Sequence, residues 1–244
     1  MQKVVSQCKI LLLVFWIAFP VLLIGQHETI KSELVQEFNM KINVEYKYIL
    51  QLPENIAKNE KLPLIVFLHG SGERGDSVDL VKVHGPWNFI ESHPDYRFAI
   101  LAPQCKEGEF WDARKLSLLL DEILANYPLD SNRIYLTGLS MGGYGTWDLA
   151  MFDPVRFVAI APVCGTTYRQ KLMANQVKDL PIWIFHGAMD ETVPFQNSAK
   201  MAARLKELNA DIRFTVYPLT SHNSWDEAYA EEELYKWFLS HEKE

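Results

Sequence analysis

The sequence predicts a mostly parallel, doubly wound α/β sheet in a single domain, and three observations predict it. Four short runs, Leu64–Leu68, Phe98–Ala102, Phe157–Ala161 and Ile182–Phe185, are continuously apolar, as strands are when helices cover both faces of a sheet. Between them lie stretches with apolar residues at three- and four-residue spacing, the period of amphipathic helices. Strand and helix alternate along 244 residues with no Pro/Gly-rich linker to mark a second domain, and alternation of this kind builds right-handed crossovers around one sheet.

In chain order, the first 26 residues stand apart. Lys3 and Lys9 lead into an apolar run from Ile10 to Ile24, the layout of a secretory signal peptide and short for a membrane span. Leu23 and Gly25 form a weak cleavage pair, so both a cleaved leader and a retained anchor fit. The expected organisation is a leader over 1–26, a catalytic domain over 27–244, and a secreted or periplasmic location.

From Ile42 to Leu52 apolar residues fall on the even positions, which predicts a half-exposed antiparallel strand or pair at the sheet edge. Leu116, Leu119, Leu120, Ile123, Leu124 and Tyr127 form one helical stripe. Ala199, Met201, Ala202, Leu205 and Leu208 form another. Ile212–Tyr217 alternates and reads as the last, half-buried strand. Only about fifteen residues separate Gly165 from Leu180, too few for a large helical lid. The hydrophobic content of 48% and net charge of −7 suit a buried core and exclude the basic face that nucleic acid requires. Cys105 and Cys164 each follow a buried-type strand and are expected as free, packed thiols.

In such sheets ligands bind at the carboxyl ends of the strands, and three motifs fall there. Gly138-Leu139-Ser140-Met141-Gly142 follows the strand Arg133–Thr137 and precedes a helical run from Gly143 through Ala150. A serine on so sharp a strand-to-helix turn presents its hydroxyl at the top of the sheet, with glycines where backbones crowd. A serine hydroxyl needs a base, and the base needs an orienting carboxylate. Asp190, in the loop after Ile182–Phe185, is placed to be that acid, with the adjacent Glu191 as the alternative. His222, five residues past the last strand, is placed to be the base. His186 ends a strand and reads as a structural hydrogen-bonder. His84 and His93 read as loop residues.

The third motif, His69-Gly70-Ser71-Gly72-Glu73-Arg74-Gly75, follows the strand Leu64–Leu68. Acyl transfer needs backbone N–H groups aimed at a developing oxyanion. The amide of Met141 is one expected donor, and the amide of Ser71 the other, with Gly72 second. His69 is expected to brace this loop, and Glu73 to pair with Arg74. Trp111 and Trp225 are the expected cleft-wall aromatics, able to stack on a sugar or an aryl ring, while Tyr144 and Trp147 are expected in the core. No His, Cys and Asp stand at metal-ligand spacing along the chain, so no metal or organic cofactor is expected.

The stretches Leu68–Gly75, Ala102-Pro103-Gln104-Cys105, Thr137–Trp147 and His222-Asn223-Ser224-Trp225 resemble bacterial α/β-hydrolases often labelled "predicted peptidase". These are related to dienelactone-hydrolase-like and phospholipase/carboxylesterase enzymes and to feruloyl and acetyl-xylan esterases. The resemblance implies an eight-stranded hydrolase sheet and the roles given above to Ser140, Asp190 and His222. The expected function is hydrolysis of small-molecule or polysaccharide-bound carboxylic esters. A serine peptidase acting on small peptides is the alternative, and a non-catalytic binding protein on the same scaffold a third reading. No stable membrane partner is expected unless the leader is retained, and the sequence carries no signal for an oligomeric state.

Overall fold

The computed structural model describes residues 44–167 and 170–243, without the side chains of 170–173. The leader over 1–26, the domain start at 27 and the beginning of the predicted edge strand at Ile42 lie outside them.

Seven strands form one sheet: β1 (Tyr48–Gln51), β2 (Leu62–Leu68), β3 (Ala99–Pro103), β4 (Leu129–Leu139), β5 (Ala159–Val163), β6 (Ile182–Gly187) and β7 (Ile212–Tyr217). Their spatial order is β1-β3-β2-β4-β5-β6-β7. Only β1 runs antiparallel, pairing with β3 at the edge, as the period-two pattern predicts. The resemblance implied eight strands; the described residues supply seven.

The continuous apolar runs are buried on two sides. In β2, Leu62, Leu64, Val66 and Leu68 face one core layer, and Ile65 and Phe67 face the other. Strand geometry turns alternate side chains to opposite faces, so both sets must be apolar when both faces are covered. The first layer packs under α2 (Ala113–Asn126), α3 (Met141–Phe152), α4 (Gln170–Val177) and α5 (Phe195–Glu207). The second packs under α1 (Trp87–Ser92), α6 (Trp225–Ala230) and α7 (Glu232–Leu239). It is rich in aromatics: Phe89 stacks on Tyr235 at 3.7 Å between ring centroids. Arg156 locks α2 to the end of α3 by pairing with Asp121 and Asp153.

After β5 the eight-residue helix α4 packs against α3 and α5. Among the described residues Cys105 and Cys164 are free and buried, as expected.

The chain leaves β2 toward β3 on one side and returns to β4 on the other. At such a reversal the loops diverge and open a crevice above the strand ends. Here the two backbones bounding the crevice touch. A Cβ on Gly142, near the start of α3, would sit 1.8 Å from the Leu68 carbonyl oxygen, and one on Gly138 would sit 2.5 Å from the Gly142 oxygen. Neither backbone oxygen can swing aside, so only hydrogen fits. Gly142→Ala is expected to force β2 and α3 apart and destabilise the fold by about 3 kcal/mol, lowering Tm by roughly 6–12 °C. Calorimetry of the variant beside the parent checks this, and an unchanged Tm would contradict the contact.

Candidate active site

Ser140 sits between β4 and α3 with φ 51° and ψ −115°, a left-handed, strained conformation that a non-glycine residue holds only when its surroundings enforce it. Its amide donates to the Val163 carbonyl at 3.0 Å and its carbonyl accepts from the Tyr144 amide at 3.0 Å. The hydroxyl is thereby fixed at the carboxyl edge of the sheet.

Two further loops bring their side chains to it. The Ser140 Oγ lies 2.8 Å from His222 Nε2, and His222 Nδ1 lies 2.7 Å from Asp190 Oδ2. The other carboxylate oxygen of Asp190, Oδ1, accepts from the amides of Thr192 at 2.9 Å and Val193 at 2.8 Å. The Asp190 side chain has no solvent exposure, while 19% of the His222 side chain is exposed. Glu191, the alternative acid, points to solvent. The loops after β6 and β7 are laced together: Met189 donates its amide to the Thr220 carbonyl at 3.0 Å, and a side chain on Gly187 would strike the carbonyls of Thr220 and Ser221.

His186 supports the acid from behind, as its structural reading anticipated. It is fully buried, and its Nε2 faces two acceptors, the Val193 carbonyl at 2.9 Å and Asp190 Oδ2 at 3.1 Å. Nε2 therefore carries the proton. Burial holds the ring's pKa below its ordinary value, so the ring is neutral and Nδ1 accepts from the Ser198 hydroxyl at 2.8 Å.

The loop after β2 is braced as expected for His69 but not as expected for Glu73. His69 is buried; its Nε2 accepts the Cys105 amide at 3.0 Å, so Nδ1 donates to the Gly70 carbonyl at 2.6 Å. Glu73 does not pair with Arg74. Its buried carboxylate accepts the Gly70 amide at 2.9 Å, closing a tight turn on itself, while Arg74 donates to the Ser71 and Glu109 carbonyls. That turn starts a 3₁₀ helix at Ser71.

A cavity of about 380 Å³ opens over Ser140, and Ser71 and Met141 both line it. Its far wall is Phe110, Trp111, Tyr144 and Asp148. Of the predicted wall residues, Trp111 is here, largely buried, with its indole N–H on the His69 carbonyl at 3.2 Å. Trp225 is not. It packs edge-on against the His222 ring, with ring centroids 5.3 Å apart at 86°, and lines a separate cavity. Tyr144 is a correction: expected in the core, it is half-buried on the cavity wall because the first turn of α3 faces the crevice, whereas Trp147 is in the core. Phe110, 73% exposed at the cavity rim, is a residue that sequence reasoning missed; an isolated aromatic in a polar loop carries no periodic signal.

Among the described residues, one group of three could present metal-ligand atoms: Cys164, Asp190 and His222, all within 4.8 Å of one another. Linear spacing could not reveal it, since the three come from separate loops. The residues fit a resident metal poorly. His222 Nδ1 and Asp190 are already bonded to each other, and burial raises the Cys164 pKa far above the ordinary thiol range, keeping the thiol protonated.

The arrangement links a hydroxyl to an imidazole and the imidazole to a carboxylate, the order in which a serine hydroxyl is activated, with Ser71 and Met141 lining the cavity above the hydroxyl. Its brace also leaves a thermodynamic signature. Burial lowers the His69 pKa from 6.5 to about 4, so between those values the unfolded chain takes up a proton that the folded chain refuses. This stabilisation is complete above pH 6.5 and is lost as pH falls toward 4, amounting to about 3 kcal/mol, with His186 acting in the same direction. Urea unfolding from pH 7 to 4 should show a shallower loss in His69→Asn than in the parent; identical slopes would contradict the neutral brace.

Comparisons with known proteins agree with this architecture. A solved structure described as a thermostable esterase superposes with a TM-score of 0.74 at 33% identity, covering 82% of this chain and 60% of that one. A bifunctional acetylxylan esterase/xylanase of Neocallimastix patriciarum is 26% identical over 151 residues, which is 59% of this chain and 21% of that protein. Dipeptidyl peptidase family member 1 of Caenorhabditis elegans is 23% identical over 215 residues, 71% of this chain and 27% of that protein. The chain thus spans between a fifth and three-fifths of the length of these relatives. A family profile described as phospholipase/carboxylesterase matches residues 95–236, more than half of the chain. With its seven-stranded, doubly wound sheet, the chain belongs to the phospholipase/carboxylesterase family of the α/β-hydrolase superfamily.

Proposed function

We propose that this chain hydrolyses carboxylic esters through an acyl-enzyme, with Ser140 as nucleophile, His222 as base and Asp190 as orienting acid. The observation that carries the reading is the continuous chain Ser140 Oγ, His222 Nε2, His222 Nδ1 and Asp190 Oδ2, at 2.8 and 2.7 Å, opening onto a cavity beside Ser71 and Met141.

In this reading Ser140 Oγ bonds to the acyl carbon while His222 Nε2 takes its proton. The carbonyl oxygen becomes an oxyanion held by the amides of Met141 and Ser71. Collapse breaks the bond to the alcohol oxygen, which receives the proton from His222. Water then repeats the cycle on the acyl-serine, with His222 again taking and returning a proton. Asp190 keeps the imidazole in the one tautomer that leaves Nε2 free to accept, and stabilises the imidazolium.

Polysaccharide-bound esters are the substrate class we favour, supported by the acetylxylan esterase relative and by the aromatic wall of Phe110, Trp111 and Tyr144. Export belongs to the same proposal and is supported by the basic, then apolar, layout of residues 1–26. The second reading, a serine peptidase, has the dipeptidyl peptidase relative in its favour. Against it stand family membership and the 33% identity to an esterase.

The test sets the full chain beside Ser140→Ala against aryl acetates, longer acyl esters, methyl ferulate, acetylated xylan and peptide amides. Ester turnover is expected, falling at least a thousandfold in the variant. Amide turnover exceeding ester turnover would favour the peptidase, and turnover indifferent to Ser140 would overturn the proposal.

A further inference from the structure

Two loops meet at the cavity over Ser140: 69–75 after β2, which brings Ser71, and 104–112 after β3, which brings Phe110 and Trp111. Their bases are tied by buried bonds. The Cys105 amide donates to His69 Nε2 at 3.0 Å, the Trp111 indole to the His69 carbonyl at 3.2 Å, and the Gln104 side-chain amide to the Glu73 carbonyl at 2.5 Å. Their tips are tied by Arg74. Its Nε donates to the Ser71 carbonyl at 3.1 Å and its Nη1 to the Glu109 carbonyl at 3.3 Å, and the guanidinium carbon stands 5.7 Å over the centre of the Phe110 ring.

We propose that Arg74 is a positioning residue: by holding Phe110 at the cavity rim, it sets the preference for esters whose acyl group carries an aromatic ring. The inference rests on the ester-hydrolase reading above. Phe110 needs such a hold, because a ring that is 73% exposed has few neighbours to keep it in one orientation. A substrate that had to order a freely turning ring would lose affinity to the entropy of doing so. A guanidinium over the ring face is attracted by the ring's quadrupole. The same group bonds the carbonyl just before Phe110, so the side chain and its backbone are held from one point. The fork of donors suits this; a lysine ammonium is a single point charge on a flexible stem.

The cavity that Phe110 borders suits the acyl half of the ester. The alcohol oxygen must face His222 to be protonated as it leaves, and this cavity is lined by Ser140, Ser71 and Met141 but not by His222. An acetyl group fills a small part of its volume of about 380 Å³, whereas a phenylpropanoyl group fills enough to meet the aromatic rim. Contact between rings gains most in offset or edge-to-face geometry, so it depends on Phe110 being held. Arg74 also bonds Ser71, whose amide is a proposed oxyanion donor, and an effect through Ser71 falls on all esters alike.

The test compares methyl acetate with methyl phenylpropanoate, which share an alcohol, in the full chain, Phe110→Ala, Arg74→Ala and the double variant. The kcat/KM ratio of the aryl ester to the acetate is expected to fall about tenfold in Phe110→Ala and about fivefold in Arg74→Ala, with the loss in KM. Taking the ratio removes any shared loss of folded enzyme or of oxyanion stabilisation. The double variant is expected to show the ratio of Phe110→Ala alone, because Arg74 acts through the ring. A ratio unmoved by Arg74→Ala, or a double variant in which the two losses multiply, would overturn the role of Arg74 and leave the esterase reading standing. No turnover of any ester by the full chain would overturn both.

Discussion

The carboxyl edge of this sheet is organised by a place where two backbones meet with nothing between them. The Leu68 carbonyl, at the end of β2, occupies the space where any side chain on Gly142 would begin. Because the chain reverses direction between β2 and β4, this contact couples the loop bearing Ser71 to the turn bearing Ser140. The strained φ of Ser140 is a consequence: the chain must leave β4 and enter α3 within one residue while staying pressed against β2. Oxyanion stabilisation depends on donors fixed before the reaction begins, and a contact that cannot relax is a means of fixing them.

The opposite wall depends on hydrogen bonds rather than steric contact. Asp190 is buried, and both of its oxygens are engaged. Two backbone amides hold Oδ1, while Oδ2 meets His222 and lies within reach of His186. A buried carboxylate is costly unless its hydrogen bonds are supplied, and here backbone donors supply them within two or three residues of the acid. His186, itself pinned by Ser198 and Val193, limits the carboxylate's freedom to turn. The imidazole of His222 thus meets an acceptor whose direction is set by groups that take no part in the proposed chemistry.

Much of this was legible in the residues alone, for physical reasons that differ by element. The buried strands announce themselves because both their faces are covered, so β2, β3 and β6 read as unbroken apolar runs. The triad residues are legible because a glycine-flanked serine, a late acid and a later histidine follow strands in an order the fold dictates. The full length of β4 is not legible, since Asp130 to Arg133 are polar and pair among themselves and with Lys61 at the solvent edge. Nor is the role of Glu73, whose neighbour Arg74 looks like a partner until the turn folds and its own Gly70 amide lies nearer. The division into two cavities is set by where the Phe110 and Trp225 loops lie in space, which no one-dimensional pattern encodes. The proximity of Cys164 to Asp190 and His222 is hidden in the same way.

The proposed chemistry depends on Asp190 as the group that orients His222. The most direct measurement is the kcat of Asp190→Asn beside Glu191→Gln, on whichever ester the parent turns over best. With the asparagine occupying the same space but favouring the wrong imidazole tautomer, kcat should fall by about ten-thousandfold, while Glu191→Gln stays within a few-fold of the parent. An Asp190→Asn enzyme that keeps more than a tenth of its rate, or a collapse in Glu191→Gln instead, would contradict it.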